Sequence, residues 1–184
     1  MKKAIANFTL WIFGWKTEIK DMEQIKKSVM IAAPHTSNWD LIFMVAVFWK
    51  HNINVRFFIK NVYTKGIHGK FFRWLGGIGI DRSKKNNLVE RASLSFKSEE
   101  ELIIIIPPEG TRNRVDKWKL GFYHIAKKAQ VPISFGYLDY KEKIGGSGGF
   151  ISLTDSMEND LDKIQAFYKT KTAKFPENYN EKIY

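Results

Sequence analysis

The sequence predicts an α/β protein: a single domain built on a largely parallel sheet flanked by helices, with an amphipathic helix at its N-terminus. Three observations carry this reading. Short runs rich in β-branched and aromatic residues alternate with longer stretches of helical spacing. No repeat, low-complexity tract or linker divides the 184 residues, so one domain over 1–184 is the economical assignment, large enough to bury about 70% of its unfolded surface. The polar clusters follow the strand-like runs, at the ends where open α/β sheets bind their ligands.

The N-terminal stretch MKKAIANFTLWIFGWK sets two lysines before an apolar segment, as a signal peptide does. It has no A-x-A cleavage pattern, and Trp15 and Lys16 stand where small residues belong. Ile5, Phe8, Ile12 and Trp15 recur at helical spacing, with Trp11 and Phe13 widening the apolar face. Residues 1–16 therefore read as a helix with two employments open to it: lying in a membrane interface, or packing on the protein's own core.

Strands follow at 28–33, 54–60, 77–81, 101–106 and 132–140. Between them 38–50, 62–75, 86–98 and 117–129 read as helices, the third carrying Leu88, Ala92 and Phe96 at four-residue spacing. The apolar run 41–49 is too short to span a bilayer, since a helix of that length covers about 13 Å against a hydrocarbon core of about 30 Å. KIGGSGGFISL (143–153) reads as a flexible glycine loop between two strands. ENDLDKIQAFYKT (158–170) reads as a last helix, whose acidic start suits the positive end of its dipole.

Composition narrows the chemistry. The 30 Lys and Arg against 19 Asp and Glu leave a formal charge of +11, which attracts phosphate-rich partners: nucleic acid, anionic lipid, or a polyanionic substrate such as a coenzyme A thioester. No nucleic-acid-binding module is recognisable, so nucleic acid is not an expected partner. With no cysteine, thiol catalysis, cysteine zinc sites and disulfides are excluded, which fits a reducing compartment. No second histidine stands at zinc-ligand spacing, and no G-x-S-x-G elbow offers an acyl carrier.

Three clusters bear chemistry. In PHTSNWDLIFMVAVFW (34–49), Ser37 and Asp40 stand at capping-box spacing before an apolar run. Asp40 also stands five residues after His35. Inside one helix that separation would turn the two side chains about 140° apart, so the pair works only with His35 in the preceding loop, where Asp40 reaches back to Nδ1 and leaves Nε2 to accept a proton. GIGIDRSKKN (77–86) places Arg82, Lys84 and Lys85 after a strand, as a solvated basic turn or as a phosphate site. IIIIPPEGTRNR (103–114) runs four isoleucines straight into Glu109, Gly110, Thr111 and Arg112.

HTSNWD (35–40), GGIGIDR (76–82), PEGTR (108–112) and VPI (131–133), in this order, resemble the four blocks of the glycerol-phosphate and lysophospholipid acyltransferase family, the 1-acylglycerol-3-phosphate O-acyltransferases and their relatives. The resemblance extends from about residue 28 to about 140. It implies that His35 is the general base and Asp40 its orienting partner. Glu109, Gly110, Thr111, Arg82 and Arg112 would then organise the acceptor phosphate. KLG (119–121) is similar to a Lys-x-Gly element of many members and adds Lys119 to that set.

The implied reaction moves a fatty acyl group from acyl-CoA or acyl-carrier protein to a lysophospholipid, 1-acylglycerol-3-phosphate first among them, without a cofactor. The implied setting is cytoplasmic, peripheral on the cytoplasmic face of an anionic membrane surface. The alternative is a lipid-binding protein that keeps the fold and catalyses nothing. Gly79 and Pro107 stand where many members have an aromatic residue, which reshapes the acceptor pocket.

Overall fold

Isoleucines 103–106 need cover on both sides, because successive strand residues face opposite ways. The computed structural model, which describes residues 1–80 and 88–184, places them on an interior strand of the sheet, next to the central one. The elements are α1 (Lys2–Ile12), β1 (Lys16–Lys20), β2 (Lys27–Ala32), α2 (Trp39–Lys50), β3 (Val55–Lys60), α3 (Gly66–Leu75), β4 (Gly77–Ile80), α4 (Leu88–Ser98), β5 (Leu102–Ile106), α5 (Gly121–Ala129), β6 (Ile133–Asp139), β7 (Ile144–Ile151) and α6 (Met157–Tyr168). Among the described residues the strand order is β1-β7-β6-β2-β5-β3-β4. β6 and β7 pair antiparallel and β1 lies parallel to β7, so these two strands run against the other five.

Ile104 faces one core with Val29, Ile133 and Phe135, covered by Phe96 of α4, Phe122 and Ile125 of α5, and Ile164 of α6. Ile103 and Ile105 face the other with Met30, covered by Leu10 of α1 and by Phe43, Val47 and Phe48 of α2. A parallel sheet buried on both faces needs such unbroken apolar strands.

The two largest differences from the sequence reading concern β1 and β7, while the helix expected over 62–75 begins only at Gly66, after a 3-10 turn at Asn61–Thr64. The first is the helix expected over 1–16, which ends at Ile12; Gly14 turns the chain at φ +69°, and 16–20 form the edge strand β1. The second is the expected glycine loop, which is strand β7. Its glycines are there for space: a Cβ on Gly146 would stand 1.6 Å from the Glu18 carbonyl oxygen, and one on Gly148 would stand 2.2 Å from the Phe167 ring. β1, the neighbour that would be hit, has only Ile19 as an apolar residue and carries little strand signal of its own.

Beyond α6 the chain returns across the site-bearing edge without further strand, through one 3-10 turn at Pro176–Asn178. Thr172 O accepts the Tyr140 N–H at 2.9 Å, Phe175 N–H donates to Thr36 Oγ1 at 3.2 Å, and Ile183 O accepts the Trp118 N–H at 3.1 Å. The last of these, with Lys119 N–H on Pro108 O at 2.9 Å, holds 118–119 out of the helix expected from 117, so α5 starts at Gly121.

Candidate active site

β2 and β5 are parallel neighbours, so the segments that leave their C-terminal ends, 33–38 and 107–120, emerge side by side. The HTSNWD segment folds as its spacing dictates. Ser37 Oγ accepts the Trp39 N–H at 3.2 Å, and Asp40 in the first turn of α2 reaches back to the Ser37 N–H at 2.8 Å. These bonds tie the loop to the first turn of α2, while Asn38, the N-cap residue itself, makes no side-chain cap bond.

The Asp40 oxygen that makes this tie, Oδ2, also accepts the Thr36 N–H at 2.9 Å and lies 3.1 Å from His35 Nδ1. His35 sits in the loop before the helix, and its ring is partly exposed. With Nδ1 on the carboxylate, Nε2 is the nitrogen left for a proton. Fastening of the loop and orientation of the histidine thus fall to one carboxylate, itself 4% exposed.

Glu109 is more buried still, at 2% exposed. Its Oε1 accepts the His35 backbone N–H at 3.0 Å, which ties the turn after β5 to the histidine. Oε2 has no hydrogen-bond partner among the described residues. Burial pushes the Glu109 carboxyl up to about 8, helped by the charge of Asp40 and opposed by backbone N–H groups, its own and that of His35. Burial thus favours the protonated form of this carboxyl.

The basic residues stand at the rim. Arg112 Nη1 donates to Asn38 Oδ1 across the two loops. Gly110 adopts φ +66°, and a Cβ there would stand 2.7 Å from Lys119 Nζ, so the lysine lies against the glycine turn. Thr111 Oγ1 accepts the Asn113 N–H at 3.3 Å and shapes the same turn. Arg82, with Lys84 and Lys85, lies outside the described residues. β4, the strand before it, stands two strands away from β5, about 10 Å at the usual interstrand spacing. His35, Asp40, Glu109, Gly110, Arg112 and Lys119 are thus brought into one neighbourhood.

Several residues of this neighbourhood escaped the sequence reading. Tyr140 donates its hydroxyl to Asp40 Oδ1 at 2.5 Å from a position 100 residues away. Burial and the Asp40 carboxylate both raise this phenol far above its ordinary value, so it stays a donor. Thr36 holds the returning chain at Phe175, and Asn38 meets Arg112. No local pattern marks these contacts, because each joins segments far apart in the chain.

By its fold and its site this chain is one of the O-acyltransferases. The chain belongs to the Acyltransferase family, whose model matches residues 16–134. A probable 1-acyl-sn-glycerol-3-phosphate acyltransferase of Mycoplasma pneumoniae (strain ATCC 29342 / M129 / Subtype 1) is 26% identical over 196 residues, covering 96% of this chain and 68% of that protein. The fold is similar to that of the 1-acyl-sn-glycerophosphate (LPA) acyltransferase PlsC from Thermotoga maritima, with a TM-score of 0.62 at 16% identity over 91% of this chain and 75% of that one.

Proposed function

We propose that this chain transfers a fatty acyl group from acyl-CoA or acyl-carrier protein to the free hydroxyl of 1-acylglycerol-3-phosphate, with His35 as general base. The observation that carries the proposal is the Asp40 carboxylate on His35 Nδ1 beside a rim of Arg112 and Lys119. The names of the two relatives support the choice of acceptor.

His35 Nε2 takes the proton of the acceptor hydroxyl as its oxygen attacks the thioester carbonyl carbon. Asp40 stabilises the imidazolium that forms. The tetrahedral oxyanion collapses, the C–S bond breaks, and the imidazolium returns its proton to the departing thiolate, leaving an ester and a free thiol. Arg112 and Lys119, with Arg82, bind the acceptor phosphate through charge-assisted hydrogen bonds. Proton transfer by a positioned base contributes ~10²–10⁴-fold.

A lipid acceptor has to be reached in its membrane. Among the described residues no helix is long and apolar enough to cross one. Instead α1 buries only Ala6 and Leu10 and turns out Phe8 (61% exposed), Trp11 (76%) and Ile12. Phe13 continues this surface to Trp39, whose ring lies 5.3 Å away and immediately precedes Asp40 in the chain. We propose peripheral attachment through this surface to an anionic membrane, on the cytoplasmic face where thioester donors are made.

The test is thiol release from long-chain acyl-CoA with and without lysophosphatidic acid. Acceptor-dependent release that disappears in His35→Ala supports the enzyme. Wild-type release in that variant overturns the general base, and vesicle binding without any release would leave the non-catalytic lipid-binding alternative.

A further inference from the structure

Asp40 is held on both of its oxygens. Oδ2 takes His35 and two backbone N–H groups, while Oδ1 takes the Tyr140 hydroxyl at 2.5 Å. Tyr140 stands just past the end of β6, outside the residues that the family model matches. We infer that Tyr140 is a positioning residue of the acyl-transfer site: its hydroxyl locks the Asp40 carboxylate with Oδ2 towards His35 and draws off part of its negative charge. The inference rests on the reading of His35 as general base and extends it by a third member.

The surroundings of Tyr140 fit a fixed donor. Its ring meets Trp15 edge-on at 5.0 Å and Phe43 at 6.4 Å, and its backbone N–H is tied to Thr172 O. The ring has little freedom to swing, so the hydroxyl cannot follow Asp40 if the carboxylate turns. A phenol kept protonated by burial and by the carboxylate it faces can only donate to Asp40. Without that donor, Oδ1 becomes a buried acceptor with no partner, and more of the carboxylate charge is turned on His35 Nδ1.

The direction of the effect follows. Extra charge on Asp40 favours the imidazolium, so the base is released only at higher pH. Among the described residues, the titratable and charged groups around the histidine are Asp40 on α2, Glu109 after β5, Tyr140 after β6, Arg112 through Asn38, Lys119 against the Gly110 turn, and Lys174, whose Nζ lies 6.0 Å from the Tyr140 ring centre. Tyr140→Phe alters one of these contacts and keeps the ring against Trp15 and Phe43.

The experiment compares the full-length wild-type chain with Tyr140→Phe, Asp40→Asn and the double variant, with melting temperatures measured alongside. In Tyr140→Phe we expect kcat to fall about tenfold, the scale of one lost hydrogen bond to a charged group, with the KM of lysophosphatidic acid and of acyl-CoA unchanged. The acidic limb of the kcat profile moves to higher pH. In the Asp40→Asn background the same change has no further effect on kcat. Losses that multiply in the double variant, a raised KM at unchanged kcat, or a wild-type pH profile would each overturn the inference.

Imidazole NMR separates this inference from the reading beneath it. The chain has four histidines, and the His35 signal is assigned by its disappearance in His35→Gln. A titrating His35 signal that moves in Tyr140→Phe, while those of His51, His68 and His124 stay in place, supports the coupling even if no acyl transfer is found, in which case the general-base reading alone falls. An unmoved His35 signal overturns the coupling whatever the activity.

Discussion

Two segments leave neighbouring strands of the sheet, and each brings one acid to the site, yet the two acids are treated in opposite ways. Asp40, after β2, meets donors on both oxygens: His35, two backbone N–H groups and Tyr140. Glu109, after β5, receives the His35 backbone N–H on one oxygen and has the other bare among the described residues. Burial without enough donors drives a carboxyl to keep its proton, and Glu109 is accordingly raised to about 8. One acid serves orientation of a ring. The other, pushed by burial towards its protonated form, ties the backbone of the same histidine to the turn after the next strand.

The strongest way to break this contrast is Asp40→Asn. The substitution puts an amide NH2 where every neighbour is a donor, so the ring loses its partner and the tie from the loop to α2 is disturbed. Turnover is expected to fall by ~10²–10⁴-fold, measured as acceptor-dependent thiol release. An Asn variant with wild-type kcat would show that the four contacts serve the fold alone.

Glu109→Gln gives a smaller effect, read in stability against pH. Between the ordinary value of 4.5 and about 8, the folded chain retains a proton that the unfolded chain has released. Stability from this group is therefore full below pH 4.5 and is lost as pH rises through about 8. The wild type should melt progressively lower across that window, at about 1.4 kcal/mol per pH unit, and Glu109→Gln should flatten the slope. Calorimetry at pH 5 and pH 8 reads the difference, and parallel slopes would mean that Glu109 is ionised in the fold.

The smallest effect belongs to Ser37→Ala. It removes the side-chain cap on the Trp39 N–H and leaves the backbone N–H of residue 37 for Asp40. A loss of about 1 kcal/mol is expected, seen as a melting temperature a few degrees lower. A much larger loss would place the capping role of this segment above its part in orienting His35.

How much could be read in advance depends on how local each cause is. The central strands and the helices between them were legible because apolar period and run length are properties of neighbouring residues. The His35 to Asp40 geometry was legible too, since five residues and a capping signature confine it to a loop and one helical turn. β7 was not: its glycines look like a loop until Glu18 and Phe167 are seen to fill the space that side chains would need. α1 was half legible. Its spacing announced a helix, whereas the face turned inward is Ala6 and Leu10, and Ile5, Phe8, Trp11 and Ile12 point out.

The sequence by itself determined an α/β chain with a largely parallel sheet, the blocks that mark an acyltransferase, and the loop that presents His35, because hydrophobic period, capping and motif order act over a few residues. Only the tertiary structure decided that Glu109 reaches the His35 backbone across 74 positions and that Tyr140 closes on Asp40 across 100. Those contacts arise from strand order, which sets β5 on one side of β2 and β6 on the other. Strand order comes from the summed packing of both sheet faces, and no single stretch of sequence carries it.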